Sequence, residues 1–156
     1  MDFARQALAA GGLVAMTLCL QCAGMAFLIH RATVYAVRAM NRLSAWHVGM
    51  LVFHFTVWML VLHLLQVLLW AAFYRWRCLA SWESCFYFSA TSYSTVGYGD
   101  VVLPPGWRFL GPIESMVGVV LCGISVSVLF AIISRLIDAK AKSPAQVKTQ
   151  IASINL

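Results

Sequence analysis

Three long apolar runs, separated by shorter polar segments, dominate the sequence. They cover Leu8–Ile29, Val48–Tyr74 and Ser115–Ser134, and none of them contains a residue with a formal charge. An α-helix needs about 20 apolar residues to cross a hydrocarbon core about 30 Å thick. The pattern therefore predicts three transmembrane helices.

A shorter run, Ser81–Ser94, lies between the second and third spans. It is too short to cross a bilayer as a helix, and apolar segments of this length are typical of buried or re-entrant helices. Ser81 is the expected N-cap residue, and Glu83 in the first turn suits the positive end of the helix dipole. We predict a re-entrant helix over this run.

Basic residues recur with helical spacing in the segment 31–46. At 100° per residue, Arg31, Tyr35, Arg38 and Arg42 fall within about 60° of one another. This pattern predicts a basic amphipathic helix at the membrane interface, and a continuous extension of the first span is the alternative. Because these arginines lie outside the apolar run, at spacings of seven and four residues, we do not expect a voltage sensor.

The composition agrees with lipid as the main solvent. The chain is 62% hydrophobic and only 10% charged, with a net charge of +6, whereas soluble domains contain about 25% charged residues. The basic residues cluster beside the apolar runs, which favours juxtamembrane loops over nucleic-acid binding. Seven of the 11 Lys and Arg residues follow the first or third span: Arg31, Arg38, Arg42, Arg135, Lys140, Lys142 and Lys148. The positive-inside rule then predicts an outside N-terminus and a cytoplasmic C-terminus.

The cysteines and histidines give weaker signals. Cys19 and Cys22 form a CxxC pair, but without a βαβ context this is a weak redox motif. Cys78 and Cys85 flank a short loop, and their spacing leaves two alternatives: a disulfide between them or two free thiols. His54 and His63 lie nine residues apart, on opposite faces of a helix, so they cannot share a metal site within one chain. A pH-sensing role or a hydrogen bond between helices is the expectation for such a histidine.

A polar, glycine-containing stretch follows the re-entrant segment. Irregular backbone at membrane depth is tolerated only where it is buried in protein or lines a watery cavity. Gly97 and Gly99 alternate with Val96 and Tyr98, and glycine adopts positive φ without steric cost. Such alternation lets successive carbonyls turn to one side, where they can replace the water shell of a cation.

The run Thr95-Val96-Gly97-Tyr98-Gly99-Asp100 resembles the TVGYGD signature of potassium channels. Over about residues 46–137 the chain is similar to small bacterial potassium channels with a two-helix pore domain. The resemblance implies an outer helix, a pore helix, a selectivity filter and an inner helix. It also implies a homotetramer, because four filter loops surround the ion.

The resemblance implies roles for the filter residues and their support. K⁺ would be bound by the filter residues Thr95, Val96, Gly97, Tyr98 and Gly99, through the carbonyls of the first four and the Thr95 hydroxyl. Gly99 would lie near the outer mouth, capped by Asp100, and Tyr98 would pack against Tyr87 or Phe88. Thr91 replaces a Glu that some family members pair with the filter Asp, and Ser94 replaces a common Thr.

The third span would be the inner helix. By resemblance, Gly123 occupies the position of a hinge glycine, with simple packing as the alternative. Small residues spaced by four, Gly118 with Cys122 and Gly123 with Ser127, permit close helix packing. One helical face gives the expected cavity lining: Ile124, Ser127, Val128 and Ala131. Glu114 is costly in lipid, so we expect it to meet polar groups behind the filter.

We therefore predict an all-α membrane protein that forms a four-fold tetrameric pore. Each chain would contribute an extra N-terminal helix (1–30), a basic interfacial segment (31–46), a pore domain (47–137) and a short cytoplasmic tail (138–156). The pore domain would comprise the outer helix 47–74, the pore helix 81–94, the filter 95–100 and the inner helix 110–137. The expected location is the bacterial plasma membrane.

The expected function is passive, K⁺-selective conduction, with no enzymatic step. K⁺ ions in the filter are the expected ligands, with no cofactor, and the expected partners are the lipid bilayer and three further copies of the chain, with no nucleic acid. Three alternatives are a weakly selective cation channel, a non-conducting regulatory subunit, and a membrane thiol enzyme using Cys19 and Cys22.

Overall fold

The computed structural model describes residues 2–39 and 45–154 of the chain. Within these residues it contains no β-strand, and the helices are α1 (Asp2–Ala39), α2 (Ala45–Arg77), α3 (Trp82–Tyr93), a 3-10 helix (Pro105–Trp107) and α4 (Leu110–Ile154). Three stretches are long and apolar enough to cross a membrane: Phe3–Arg31, Val48–Arg77 and Pro105–Arg135. The predicted all-α fold with three membrane-spanning helices is confirmed.

Two helices are longer than the sequence pattern predicts. Helix α1 runs without a break to Ala39, so at least residues 31–39 continue the first span instead of starting a separate interfacial helix. Arg42 lies outside the described residues. Helix α4 continues to Ile154, through most of the segment expected to be a tail, because Ala, Lys and Gln favour helix. At 1.5 Å per residue α4 is about 68 Å long, so it extends well beyond a hydrocarbon core of about 30 Å.

The first turn of α3 differs from expectation in one detail. Ser81 is the N-cap residue and has extended backbone angles, but its side chain makes no capping hydrogen bond. Its carbonyl oxygen accepts the first helical bond, from the Cys85 N–H at 3.1 Å. Ser81 and Trp82 are exposed, so water can satisfy the free N–H groups of this turn.

Two apolar clusters form the core of the chain. One joins α1, α2, α3 and the start of α4: Ala10, Leu13, Trp70, Ala71, Tyr74, Cys85, Leu103, Trp107 and Leu110. The other joins α1 and α2, with α4 packed against it: Met25, Leu28, Phe55, Met59 and Leu62. Buried uncharged polar residues separate the two clusters: Gln21, Gln66 and Ser125.

The faces that point away from this core are also apolar. Leu60 on α2 is 65% exposed, and Met116 and Phe130 on α4 are each 71% exposed. Large contiguous apolar surfaces of this kind mark contact with lipid or with other protein chains. A single chain therefore leaves surface that a bilayer or further copies must cover.

The N-terminal end of α1 lies beside the loop that precedes α4. The Phe3 and Phe109 rings pack edge to face at 5.6 Å, and the Arg5 guanidinium lies 4.7 Å from the centre of the Trp107 ring. The Phe109 N–H donates to Gln6 Oε1 at 3.4 Å. These contacts bring the start of α1 to the same end of the molecule as the loop that follows residues 95–100.

Candidate functional site

The C-terminal end of α3 is closed by a two-bond motif that starts the 95–100 stretch. The Thr95 N–H donates to the Ser92 carbonyl at 2.9 Å, and the Val96 N–H donates to the Thr91 carbonyl at 2.9 Å. With Ser94 as the C-cap, this is the bond pattern of a Schellman motif. The position after the C-cap adopts left-handed backbone there and is usually glycine. In this chain Thr95 occupies it, with φ at 63°.

Positive φ then recurs at every second residue. Gly97 has φ at 50° and Gly99 has φ at 80°, and Thr95 is the one non-glycine residue with positive φ among the described residues. A β-branched residue in this region is an outlier that the surrounding structure must hold in place. The sign of φ therefore alternates along residues 95–99. Backbone of this kind turns successive carbonyls to one side.

The aromatic side chain of this stretch packs where the sequence resemblance implies. The Tyr98 ring stacks on Tyr87 of α3, with centroids 6.4 Å apart and planes 14° apart. The Tyr87 hydroxyl donates to Asp100 Oδ2 at 2.8 Å. That hydrogen bond is the main cause that raises the pKa of Tyr87 above its ordinary value. Tyr87 therefore ties both Tyr98 and Asp100 to α3.

Three other residues that were expected to support the 95–100 stretch make contacts within α3 or with the helices packed against it. The Thr91 hydroxyl donates to the Tyr87 carbonyl at 2.9 Å, while the Thr91 carbonyl accepts from both Val96 and Gly97. The Ser94 hydroxyl donates to the Ala90 carbonyl at 2.6 Å. Phe88 does not stack on Tyr98 but packs edge to face on Tyr74 at 5.2 Å, because it points to α2 and α4.

A comparison with family models agrees with this geometry. The sequence model of a family described as "Ion channel" matches residues 58–135, which is half of the chain. The chain belongs to this ion channel family. The matched residues include most of α2, all of α3, the 95–100 stretch and the membrane-spanning part of α4. No curated protein and no solved structure gives a significant match.

The family match and the apolar helices together show what kind of protein this is and which helices belong to its channel domain. The chain is a multi-pass membrane protein with an ion channel domain, and passive ion conduction is the activity of such a domain. Helix α1 lies wholly before the matched region, which starts at residue 58. Its contacts with the channel domain are therefore a feature of this chain beyond the family match.

Glu114 lies at the start of α4, behind the pore helix of the channel. It is fully buried, and its two carboxyl oxygens face different helices. The Tyr74 hydroxyl of α2 donates to Oε2 at 2.7 Å, and the Ser89 hydroxyl of α3 lies 2.5 Å from Oε1. The Ser89 hydroxyl oxygen also lies 2.8 Å from the Val67 carbonyl oxygen. Glu114 thus links α4 to the outer helix and to the middle of the pore helix.

The expected cavity-lining residues of α4 differ in exposure. Ile124, Ser127 and Ala131 are exposed in the single chain, as a pore-facing surface requires. Val128 is the exception, because it is half-buried and packs against the apolar cluster of α1 and α2. Val128 lies at the edge of this face, about 40° around the helix from Ile124, and its place in the cavity lining stays a prediction.

Gly118 and Gly123, two of the glycines of α4, have different surroundings. A Cβ on Gly123 would meet nothing within 4 Å in this chain, whereas a Cβ on Gly118 would lie 2.2 Å from the Tyr93 carbonyl oxygen. The Ser127 hydroxyl donates to the Gly123 carbonyl at 2.8 Å, and such bonds back to the preceding turn often bend helices. Gly118 provides the close approach of α4 to the pore helix, while Gly123 lies in open space.

An open groove of about 650 Å³ lies beside the filter stretch. Its walls come from α3, from residues 95–103 and from the start of α4, and they include Phe88, Thr95, Gly97 and Ser115. The 95–100 stretch is exposed: Val96 is 51% and Tyr98 72% accessible in the single chain. Backbone of this kind cannot face lipid.

The cysteines are free thiols in the structure. Cys78 and Cys85 are not joined, and burial raises the pKa of Cys78 to about 11, with a smaller contribution from the Cys85 thiol. Cys19 and Cys22 are exposed on α1. Among the described residues, no three His, Cys, Asp or Glu side chains form a cluster that could hold a metal ion.

The sequence reasoning missed a group of uncharged polar residues that lie inside the apolar runs. Tyr93, Ser125, Gln21 and Gln66 are buried, and hydrogen bonds join them to one another or to His63. A signal was present, since a glutamine inside a membrane span needs a polar partner. The identity of the partners required the tertiary structure.

Proposed function

We propose that this protein is a K⁺-selective channel of the plasma membrane, in which backbone carbonyls bind the ion. The carbonyls of Thr95 to Tyr98 and the Thr95 hydroxyl would replace the hydration shell of K⁺, with Gly99 near the outer mouth. Ions would pass in single file, and no chemical step takes place. The location proposed is a bacterial plasma membrane, with the N-terminus outside and the C-terminus in the cytoplasm.

One observation carries the proposal. The sequence TVGYGD directly follows a short re-entrant helix, and its backbone has positive φ at Thr95, Gly97 and Gly99. Strained backbone at a non-glycine residue persists where function needs it. A threonine here adds a hydroxyl oxygen that glycine lacks, and an inward hydroxyl is a suitable ligand for a dehydrated cation.

The proposal includes a homotetramer. A single chain supplies one filter strand, and its irregular backbone is half exposed at a depth where lipid cannot satisfy its polar groups. Three further copies around the axis would cover the open groove beside Thr95 and Gly97 and complete the ring of carbonyls. The C-terminal ends of four α3 helices would then direct their negative dipole ends toward the central ion.

The proposed channel also assigns roles to the residues that would hold the filter in place and to those that would open the pore. Tyr87, Asp100, Thr91 and Ser94 would hold the filter from the side of the pore helix, and Glu114 would brace the helix from behind. Phe88 would support the filter indirectly, because its ring packs on Tyr74 and fixes α3 against α2. Gly123 would be the hinge of the inner helix, and Ile124, Ser127 and Ala131 would line the cavity below the filter.

Flux measurements in liposomes test this function. Purified protein is reconstituted with a K⁺ gradient, and K⁺ flux, Na⁺ flux and block by Ba²⁺ are measured. Gly97→Ala is the test variant: a Cβ there meets no atom within 4 Å, but φ at 50° strains any L side chain. Gly106→Ala is its matched control, since that glycine also has open space but ordinary φ.

The expected result is K⁺ flux that exceeds Na⁺ flux at least tenfold, is blocked by Ba²⁺, is lost in Gly97→Ala and is retained in Gly106→Ala. Equal fluxes of the two ions would replace the proposal with a weakly selective cation channel. Absence of flux from a folded wild-type assembly would overturn conduction and favour a regulatory subunit.

A further inference from the structure

Five side chains from all four α-helices form a closed ring of hydrogen bonds. Gln66 Nε2 donates to Gln21 Oε1 at 2.7 Å, and Gln21 Nε2 donates to Ser125 Oγ at 3.0 Å. Ser125 Oγ lies 3.0 Å from His63 Nε2, and His63 Nδ1 lies 2.8 Å from the Tyr93 hydroxyl oxygen. The Tyr93 hydroxyl donates to Gln66 Oε1 and closes the ring.

The five hydrogen bonds of this ring can all run in one direction around it. Because the Tyr93 hydroxyl donates to Gln66, its oxygen accepts from His63 Nδ1, and His63 Nε2 is then free to accept from the Ser125 hydroxyl. This assigns His63 as the neutral tautomer with its proton on Nδ1. Burial raises the pKa of Tyr93 above its ordinary value, which keeps the hydroxyl protonated. Hydrogen bonds in such a closed set strengthen one another.

Four of the five ring members are buried, His63 is half-buried, and the ring lies between the two apolar clusters. Gln66 is fully buried, and Gln21, Tyr93 and Ser125 are at most 5% exposed. Loss of one member would leave a buried donor or acceptor of its neighbours without a partner, which is costly in this setting. The ring therefore fixes the helices relative to one another more tightly than apolar contact alone.

Two members place the ring next to the working parts of the proposed pore. Tyr93 is the last residue of α3, directly before the turn that carries Thr95 and Val96. Ser125 follows the hinge position Gly123 by two residues on α4. Gln21 is the one member from α1, and it bonds directly to α2 and α4.

We propose that α1 is a working part of the pore, in which Gln21 is a positioning residue that holds the end of the pore helix, and thereby the filter, through the Gln21–Gln66–Tyr93 bonds. This inference rests on the proposed K⁺ channel function. Without Gln21, Gln66 loses the acceptor of its amide N–H, its side chain is free to turn, and the Tyr93 hydroxyl loses its fixed acceptor. The turn at Thr91 to Gly97 then opens more often.

Gln21→Leu is the test variant, because leucine is close to glutamine in size and suits a membrane helix. Thr17→Val is the matched control on the same helix. Thr17 is fully buried one turn away and accepts a hydrogen bond from Trp70 Nε1 of α2 at 3.0 Å, but it makes no bond to α3 or α4 in the described structure. Both variants remove one buried α1–α2 hydrogen bond, and only Gln21→Leu breaks the ring.

Two measurements are made on each protein. Hydrogen exchange reports on the Val96 and Gly97 amides, which both bond to the Thr91 carbonyl. Liposome flux gives the permeability ratio of K⁺ to Na⁺. Gln21→Leu is expected to speed exchange of these amides about tenfold, which corresponds to about 1.4 kcal/mol of opening free energy, and to lower the permeability ratio. Thr17→Val is expected to leave both within twofold of wild type.

Equal effects of the two variants on exchange would overturn the inference and reduce Gln21 to a packing residue. If Gln21→Leu does not assemble, Tyr93→Phe is used instead, since it removes the hydroxyl through which the end of α3 bonds to Gln66 and His63. Unchanged exchange in Tyr93→Phe would overturn the inference. A wild type without K⁺ selectivity would overturn the proposed function instead, and the exchange comparison would still decide whether Gln21 positions the filter turn.

Discussion

At the scale of single residues, Thr95 shows a conflict between local stability and function. It occupies the left-handed position of a helix C-terminal motif that glycine usually fills, with φ at 63°. Left-handed backbone costs a residue with a Cβ about 1–2 kcal/mol. The Thr91 carbonyl, which accepts from both Val96 and Gly97, holds the turn in this conformation.

Thr95→Gly is therefore expected to stabilise the turn and to impair the pore. In K⁺-free buffer, where ion binding adds nothing to stability, the free energy of unfolding should rise by about 1 kcal/mol. K⁺ flux should fall because a hydroxyl ligand is lost. Thermal unfolding in detergent and liposome flux measure the two effects. Lower stability together with unchanged flux would contradict this account of Thr95.

At the scale of helices, small residues decide how closely elements approach. Gly118 allows α4 to lie against the Tyr93 carbonyl, and Gly24 allows α1 to cross α2 at Leu62, where a Cβ would lie 2.6 Å from the leucine side chain. The sequence showed Gly118 as half of a small-residue pair with Cys122, but it did not show which helix packs against Gly118. Cys122 itself is exposed, so one member of the pair makes the contact.

Gly118→Ala and Gly123→Ala are expected to act in opposite ways on the same helix. A Cβ at position 118 would clash with backbone, and overpacking of this kind costs about 1–3 kcal/mol. A Cβ at position 123 meets open space, so the variant should keep or gain stability through the better helix propensity of alanine. Gly123→Ala should instead change the open probability, because a stiffer helix bends less.

Thermal unfolding and single-channel recording separate these two effects. Gly118→Ala should unfold at a lower temperature than wild type, and Gly123→Ala should not. Equal losses of stability would mean that Gly123 is also a packing residue, which is the alternative that the sequence left open.

At the scale of the whole molecule, the single chain is an incomplete unit. Its filter strand is exposed, an open groove flanks that strand, and the outward faces of α2 and α4 are apolar. The proposed symmetric assembly, with residues 95–100 of each copy at its axis, would cover these surfaces. The contacts of Phe3 and Arg5 with residues 107–109 place the start of α1 beside the loop that follows the filter.

Native mass spectrometry from detergent is expected to give the mass of four chains of 17.3 kDa each. Tyr98→Ala, at a side chain that is 72% exposed in the single chain, should weaken this assembly, because the ring would be covered by a neighbouring copy. Leu60→Ala, at an exposed apolar side chain of α2 that would face lipid in the proposed assembly, is the control and should remain tetrameric. A wild-type monomer or dimer that conducts K⁺ would contradict the four-fold arrangement.

The sequence by itself determined the three membrane-spanning helices and singled out the filter stretch. Both follow from local properties: the length of charge-free runs, and the tolerance of Gly97 and Gly99 for positive φ. The continuation of α1 to Ala39 was one of two alternatives and that of α4 to Ile154 was not predicted, because polar residues at helix ends fit helix and loop equally well.

Only the tertiary structure decided which polar residues meet. Glu114 was expected to find polar partners, but Tyr74 and Ser89 could not be named from the sequence, since they lie 40 and 25 residues away. Gln21 and Ser125 are 104 residues apart and still share a hydrogen bond. Helical periodicity shows which residues share a face, but the partner of a buried side chain depends on how whole helices pack, and that is fixed by contacts far apart in the chain.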